Sequence, residues 1–316
     1  MERIFPDYVQ GYFEELNSAG KGSSTLKQYS SDIGKFLSWL EDFKGSSDLQ
    51  TVRSLSDHDF ETYLQLLRQS SLSEATIRRL LSVLNRLLKH LGLGTKITSN
   101  TPKEMPLRAL NIDDFISDKE MKKLLQSMKT RSSEGTAARD HLIERNLAIV
   151  CLARYYGLTP ADISNIRMNH INLAQRTLVI KNSNKHTELQ LDPEHADFIR
   201  VYRSSIDKKF RPRLRTNDPL FVAFMNSNNT YRFDNDKGVP KVLSVRGIQK
   251  MIKTEMELAG LRQMSATHLR NQSILDKMLA GMSNGALMMY FRLTDDYSLH
   301  RYRRYLKDMQ ITEAQK

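Results

Sequence analysis

The sequence is poor in the residues that staple or coordinate a fold. Its 316 residues include one cysteine, Cys151, so an intrachain disulfide is excluded and a cysteine-based zinc site has no ligand set. No histidines stand at metal-ligand spacing, and neither a metal nor a cofactor is expected. Cys151 lies in an apolar helical run and reads as a reduced core residue. No run approaches the roughly 18 consecutive apolar residues of a membrane span. The opening MERIFPDYVQ lacks the basic-then-apolar order of a secretory signal. A cytoplasmic chain without a membrane partner is expected, and its length favours two domains, each with its own core.

Positive charge is what the chain has in surplus. The formal net charge is +12, and it is unevenly spread: residues 1–110 carry 14 Lys and Arg against 13 Asp and Glu, whereas residues 111–316 carry 34 against 23. A basic domain is the electrostatic footprint of a polyanion partner, and nucleic acid leads the candidates. A merely solvated basic surface is the plain alternative.

Apolar periodicity predicts an all-helical first domain over residues 1–97. A helix spans Phe5 to Leu16. A second, with Ser24 as its cap, carries the stripe Leu26, Tyr29, Ile33, Phe36, Leu37 and Leu40. A third opens at Asp57 or Asp59. A fourth, capped by Ser73, carries Ile77, Leu80, Leu84, Leu87 and Leu91, and Gly92 and Gly94 end it. Four short helices make the bundle. Residues 98–112, with Pro102 and Pro106, read as a linker. The second domain, 113–316, starts on a helix with a Ser117/Glu120 capping box. Thr130 to Arg139 is polar and reads as a loop. A buried helix over Arg145 to Tyr155 follows, then a Gly-Leu turn, a short helix, and a hairpin whose tip carries Lys185. Pro193 opens a helix, KKFRPRLR (208–215) is a basic loop, and Ser244 to Gly260 is a further helix.

The stretch RNLAIVCLARYYGLTPADISNIRMNHINLAQRTLVIKNSNKHTE, from Arg145 to Glu188, resembles the start of the catalytic domain of tyrosine recombinases, the phage-integrase family. TLKQYSSDIGKFLSWL and EATIRRLLSVLNRLLKHL are similar to two helices of that family's core-binding domain, and FISDKEMKKLLQSM to the opening of its catalytic domain. The resemblance covers almost the whole chain. It implies a mainly α fold with a small β-hairpin or sheet (α+β), arranged as a two-domain clamp on duplex DNA. It further implies DNA-facing roles for Lys27, Lys35, Thr76, Arg78, Arg79, Arg86 and Lys89 in the first domain. In the second it implies them for Lys185, Arg246, Lys250, Lys253 and Arg270.

The family's chemistry can be followed residue by residue. A tyrosine attacks a phosphodiester while two arginines, a lysine and two His/Trp-type groups stabilise the pentavalent phosphorus and handle protons. Here the arginine expected after the Gly-Leu pair is Thr159. The hairpin lysine is Lys185. The family's His-x-x-Arg stands as Thr267-His268-Leu269-Arg270, so the arginine is kept and the histidine is threonine. His268 is one residue late, a rotation of about 100° on a helix. The Gly-His or Gly-Trp pair reads Gly281-Met282, and Tyr290 follows.

Positions Lys185, Arg270 and Tyr290 therefore match, whereas Thr159, Thr267 and Met282 depart. Losing one phosphate-stabilising donor costs on the order of 10²–10³ in rate. On that ground the expectation is a chain that is not an enzyme, with no catalytic residue. Its reading is a sequence-specific, nucleoid-associated DNA-binding protein that acts as a transcriptional repressor of prophage lysogeny. The alternatives are an active, divergent recombinase using Tyr290, with Arg154 or Arg167 compensating for Thr159, and an accessory factor of a recombination or replication complex. Beyond double-stranded DNA, the candidate partners are a second copy, docked through the C-terminal HRYRRYLKDM helix, and a regulatory protein or peptide.

Duplex affinity is expected to fall steeply with salt, because Lys and Arg contacts to phosphate release counterions. An Arg78/Arg79 double alanine variant, titrated against duplex DNA at several salt concentrations, should bind more weakly by about 1–3 kcal/mol if a base contact is lost. Loss of phosphate contacts should instead flatten the salt slope by about one for each.

Overall fold

The structure is a computed structural model that describes residues 4–94, 108–131, 137–182, 185–293 and 295–314, with the backbone alone at 23, 24, 137, 182, 185 and 310–314. The chain divides into two compact units, Met1–Met105 and Pro106–Lys316. Among the described residues no helix is long and apolar enough to cross a membrane.

The first unit holds α1 (Asp7–Ser18), α2 (Ser23–Lys44), α3 (Leu49–Ser54), α4 (Asp57–Gln69) and α5 (Glu74–His90). The Ser73 hydroxyl accepts from the Thr76 amide and starts α5, whose Ile77, Leu80, Leu81, Leu84, Leu87 and Leu88 are buried. Three details differ from the sequence reading. Helix α2 begins at Ser23 behind Gly22 as N-cap, so Ser24 is inside the helix. Helix α4 is capped by Ser56 in a capping box with Asp59. The additional α3 is capped by Asp48 and buries only Val52, too few apolar positions to show a period.

One ion pair joins α2 to α5. Asp32, with its side chain 1% exposed, accepts from Arg79 at 3.1 Å and from Gln28 at 3.0 Å. A carboxylate taken out of water needs such partners. Arg86 likewise turns back, donating to the Tyr29 hydroxyl.

In the second unit a 3₁₀ turn over Ile112–Asp114 leads into α6 (Asp118–Lys129), α7 (Ala137–Asp140), α8 (Ile143–Tyr155) and α9 (Pro160–Ser164). The predicted Ser117/Glu120 capping box is present. The polar stretch read as a loop already turns helical at Ala137, and residues 132–136 lie outside the described ones. Every residue of α8 from Arg145 to Arg154 is buried, which is why it lacks an amphipathic stripe. Cys151 is 1% exposed, and burial pushes its thiol up to about 12.

Strands β1 (Ile171–Asn172), β2 (Thr177–Asn182) and β3 (Lys185–Gln190) form an antiparallel sheet in that order. Asn182 pairs with Lys185 at the tip. After α10 (Pro193–Ser205) come two small hairpins, β4 (Phe224–Met225) with β5 (Thr230–Tyr231) and β6 (Phe233–Asp234) with β7 (Val239–Pro240). Two-residue strands give no alternation to read, and the sequence did not disclose them. Helices α11 (Val245–Leu258), α12 (Ala266–Leu279), α13 (Asn284–Phe291) and α14 (Tyr297–Ala314) complete the chain. Helix α14 lays Leu299, Tyr302, Tyr305 and Leu306 on Leu110, Phe115 and Ile274 of its own unit. This face of the C-terminal helix is thus occupied within the chain.

Because Asp32 depends on Arg79, Arg79→Ala is expected to lower unfolding free energy by about 1–3 kcal/mol. Chemical denaturation of Arg79→Ala beside the exposed-site control Lys27→Ala measures this. Equal stability of the two variants would mean that Asp32 does not need the guanidinium.

Candidate active site and nucleic-acid interface

The candidate site is assembled around the Gly157-Leu158 turn that follows α8. Gly157 has φ +62, and a Cβ there would lie 2.3 Å from the Phe291 ring. Glycine is required on both counts, the left-handed backbone and the close approach of the ring. Thr159 is the N-cap of α9 and forms a capping box with Asp162. Thr159 thus has a structural occupation: it donates to Asp162 Oδ2 from its amide and its hydroxyl, each at 2.8 Å.

The same Asp162 oxygen accepts from Arg292 at 3.1 Å, and the Arg292 side chain is 3% exposed. A guanidinium therefore stands beside Thr159, where the sequence offers none. It comes from Arg292, two residues beyond Tyr290. The two cations weighed from sequence do not supply it. Arg154 is buried and paired with Asp276 at 2.6 Å and Asp118 at 3.5 Å. Arg167 reaches the Ser164 carbonyl at 3.4 Å.

Arg270 lies close to this cation. It donates to the carbonyl of Gly157 and, at 2.9 Å, to that of Phe291, with the Phe291 ring centroid 5.4 Å from its guanidinium carbon. Burial pushes its pKa down; Asp162 opposes the shift and the neighbouring Arg292 adds to it. Two guanidiniums thus share one partly dehydrated corner, with Asp162 as counter-charge.

Tyr290 is half-buried on α13, and burial pushes its hydroxyl up to about 12, with Tyr156 adding and Arg292 opposing. Lys277 of α12 stands 4.3 Å from the Tyr290 ring centroid. The hairpin reaches the same helix, since Thr187 of β3 donates to the Met289 carbonyl at 3.2 Å. The β3 backbone carrying Lys185 is thereby tied to the tyrosine helix, although the Lys185 side chain lies outside the described residues. Thr267 is exposed at the start of α12, and His268 serves as capping-box partner of Ser265. Met282 packs into the cluster under α14.

The remaining cations fall into two groups. Lys27, Lys35, Lys89, Arg246, Lys250 and Lys253 have exposed side chains, with Lys253 3.7 Å from Glu257. Thr76, Arg79 and Arg86 have partners inside the first unit, and Arg78 is half-buried. The basic loop turns partly inward: Arg211 donates to the Ile206 and Ser204 carbonyls, and Arg213 pairs with Asp218 at 2.9 Å. Among the described residues no group of three His, Cys, Asp or Glu is placed to hold a metal ion.

The fold is that of a tyrosine recombinase framework, a helical N-terminal unit followed by a mainly helical unit with a hairpin; an arginine pair and a tyrosine on the penultimate helix stand at the candidate site. Over nearly its whole length the chain is similar to proteins of the tyrosine recombinase/phage integrase family. Residues 9–92 match the family model of the phage integrase N-terminal SAM-like domain. Tyrosine recombinase XerS of Streptococcus mutans is 23% identical, covering 94% of each chain. XerS of Streptococcus pyogenes serotype M5 is 23% identical over 93% of each. The fold is similar to the Tn1549 transposon integrase in complex with transposon right end DNA, at TM-score 0.63 and 13% identity over 93% of this chain and 94% of that one. It is also similar to the XerH site-specific recombinase bound to palindromic difH substrate, at TM-score 0.63 and 16% identity over 96% and 83%.

These relatives correct one expectation. The motif departures at Thr159, Thr267 and Met282 suggested a chain that is not an enzyme. The XerS proteins that it matches along nearly its whole length are tyrosine recombinases, which are enzymes. Counting side chains at fixed motif positions also does not register a cation brought to the turn from elsewhere in the chain, as Arg292 is.

Gly157→Ala should be among the most damaging small substitutions in the second unit. The clash with Phe291 and the strained backbone together are expected to cost about 2–4 kcal/mol, read as a shift of the denaturation midpoint. A loss below about 0.5 kcal/mol, within the range of neutral surface changes, would mean that the turn relaxes freely.

Proposed function

We propose that this protein is a site-specific recombinase of the tyrosine class, acting on double-stranded DNA through Tyr290. The observation that carries the reading is Arg292 beside Thr159. With Arg270 it gives the site two guanidiniums, the number that phosphoryl transfer to a tyrosine calls for. The phenolic oxygen would attack phosphorus, forming a phosphotyrosine bond while a deoxyribose hydroxyl leaves. A second deoxyribose hydroxyl would then displace the tyrosine, so no energy-rich cofactor is consumed. Arg270, Arg292 and Lys185 would hold the non-bridging oxygens. For the arginines this means exchanging the Gly157 and Phe291 carbonyls and Asp162 for a phosphate carrying more negative charge.

Duplex binding is supported by the surplus charge of residues 111–316 and by the exposed cations of α2, α5 and α11. The solved relatives held on DNA add to it. We read residues 1–97 as the core-binding domain, 98–112 as the linker and 113–316 as the catalytic domain. A second reading is a DNA-bound transcriptional repressor of prophage genes. It is favoured by one observation: both Arg270 contacts are to the protein's own carbonyls, an arrangement that a purely structural arginine would also have.

A suicide substrate nicked near the cleavage site separates the two. The recombinase reading expects a covalent protein–DNA adduct that is lost in Tyr290→Phe, while duplex affinity stays within about threefold, a change of under 1 kcal/mol. It further expects Arg292→Ala to reduce adduct formation by roughly 10²–10³, the size of a lost transition-state donor. Unaltered duplex affinity with no adduct from the native chain would instead support the repressor.

A further inference from the structure

A cleft of about 640 Å³ opens between the start of α8, α11 and β4, away from the Gly157 turn. That volume is in the range of small-molecule sites, roughly 300–1,000 Å³. Arg145 lines it and is only 6% exposed. Its Nε and one terminal nitrogen both donate to the Asn146 side-chain oxygen, at 3.2 and 3.0 Å.

Among the described residues Arg145 has no carboxylate within 4.0 Å. The carboxylate in the cleft lining, Glu255, is otherwise engaged. One of its oxygens takes Arg139, at 2.9 and 3.2 Å, and the other takes the Asn146 amide at 2.9 Å. Lys250 adds a third cation to the lining. The cleft therefore carries three positive groups against one negative. A guanidinium this deeply buried is costly without a counter-ion, and burial accordingly pushes its pKa down.

Apolar Leu142, Phe224, Met251 and Leu258 stand around the charged floor, with Asn226 and Thr254 as further polar lining. We propose that this cleft is a binding site for a small organic carboxylate with an apolar body, whose carboxylate pairs with Arg145. The planar guanidinium matches the two oxygens of a carboxylate. A neutral molecule of the same shape would leave the cation uncompensated.

Calorimetric titration of the full chain with 4-phenylbutyrate and with 4-phenylbutyramide tests this. Saturable binding of the carboxylate is expected, with the amide weaker by at least about tenfold. Arg145→Met keeps a long side chain and removes the charge, and it should lose binding by at least about tenfold while melting cooperatively. Thr254→Trp, at an exposed position lining the cleft, should block it without touching the charged floor; if Arg145→Met does not fold, Thr254→Trp decides. Equal affinity for acid and amide would overturn the proposal. So would native-like binding by the variants, or no saturable binding of 4-phenylbutyrate up to roughly 10 mM, weaker than any useful affinity.

Discussion

The second unit depends on what Arg270 does with its guanidinium. By donating to the carbonyls of Gly157 and Phe291, it ties the turn after the buried α8 to the end of the tyrosine helix. These carbonyls lie at or just beyond the C-terminal ends of α8 and α13, where helical hydrogen bonding leaves acceptors unpaired. A charged donor satisfies them more strongly than a neutral one would. Phe291 then fills the space that Gly157 leaves open, so one cation and one missing side chain fix the same junction. The distance from Tyr290 to the arginines follows from that junction.

Thr159 shows how a departure from a motif can coexist with a retained charge pattern. As threonine it caps α9 and fastens Asp162, and Asp162 in turn holds Arg292. The helix start and the cation are thus organised by one carboxylate. Removing Asp162 would loosen the cap and release the guanidinium together.

Much of the helical framework was legible in the sequence because helices announce themselves by period and cap. The leucine stripe of α5 behind Ser73 and the Ser117/Glu120 box before α6 are cases in point. Helix α3 and the two-residue strands β4 to β7 were not legible, because neither is long enough to repeat a pattern more than once. At the site, Lys185, Arg270 and Tyr290 could be found from motif spacing. Arg292, Asp162 and the demand for glycine at 157 could not, since each acquires its role through contacts between distant segments. A side chain at a motif position is visible in sequence; a side chain brought to that position by another helix is not.

The backbone of Arg292 carries a consequence for engineering this protein. It closes α13 in the left-handed conformation, with φ 56 and ψ 39, a place where helices ordinarily put glycine. For a side chain other than glycine this conformation costs about 1–2 kcal/mol. Glycine here would relieve the backbone but strip Asp162 of its buried ion-pair partner, a loss that outweighs the relief. Position 292 is thus held by its side chain against the preference of its backbone, and a glycine chosen from backbone angles alone would weaken the protein.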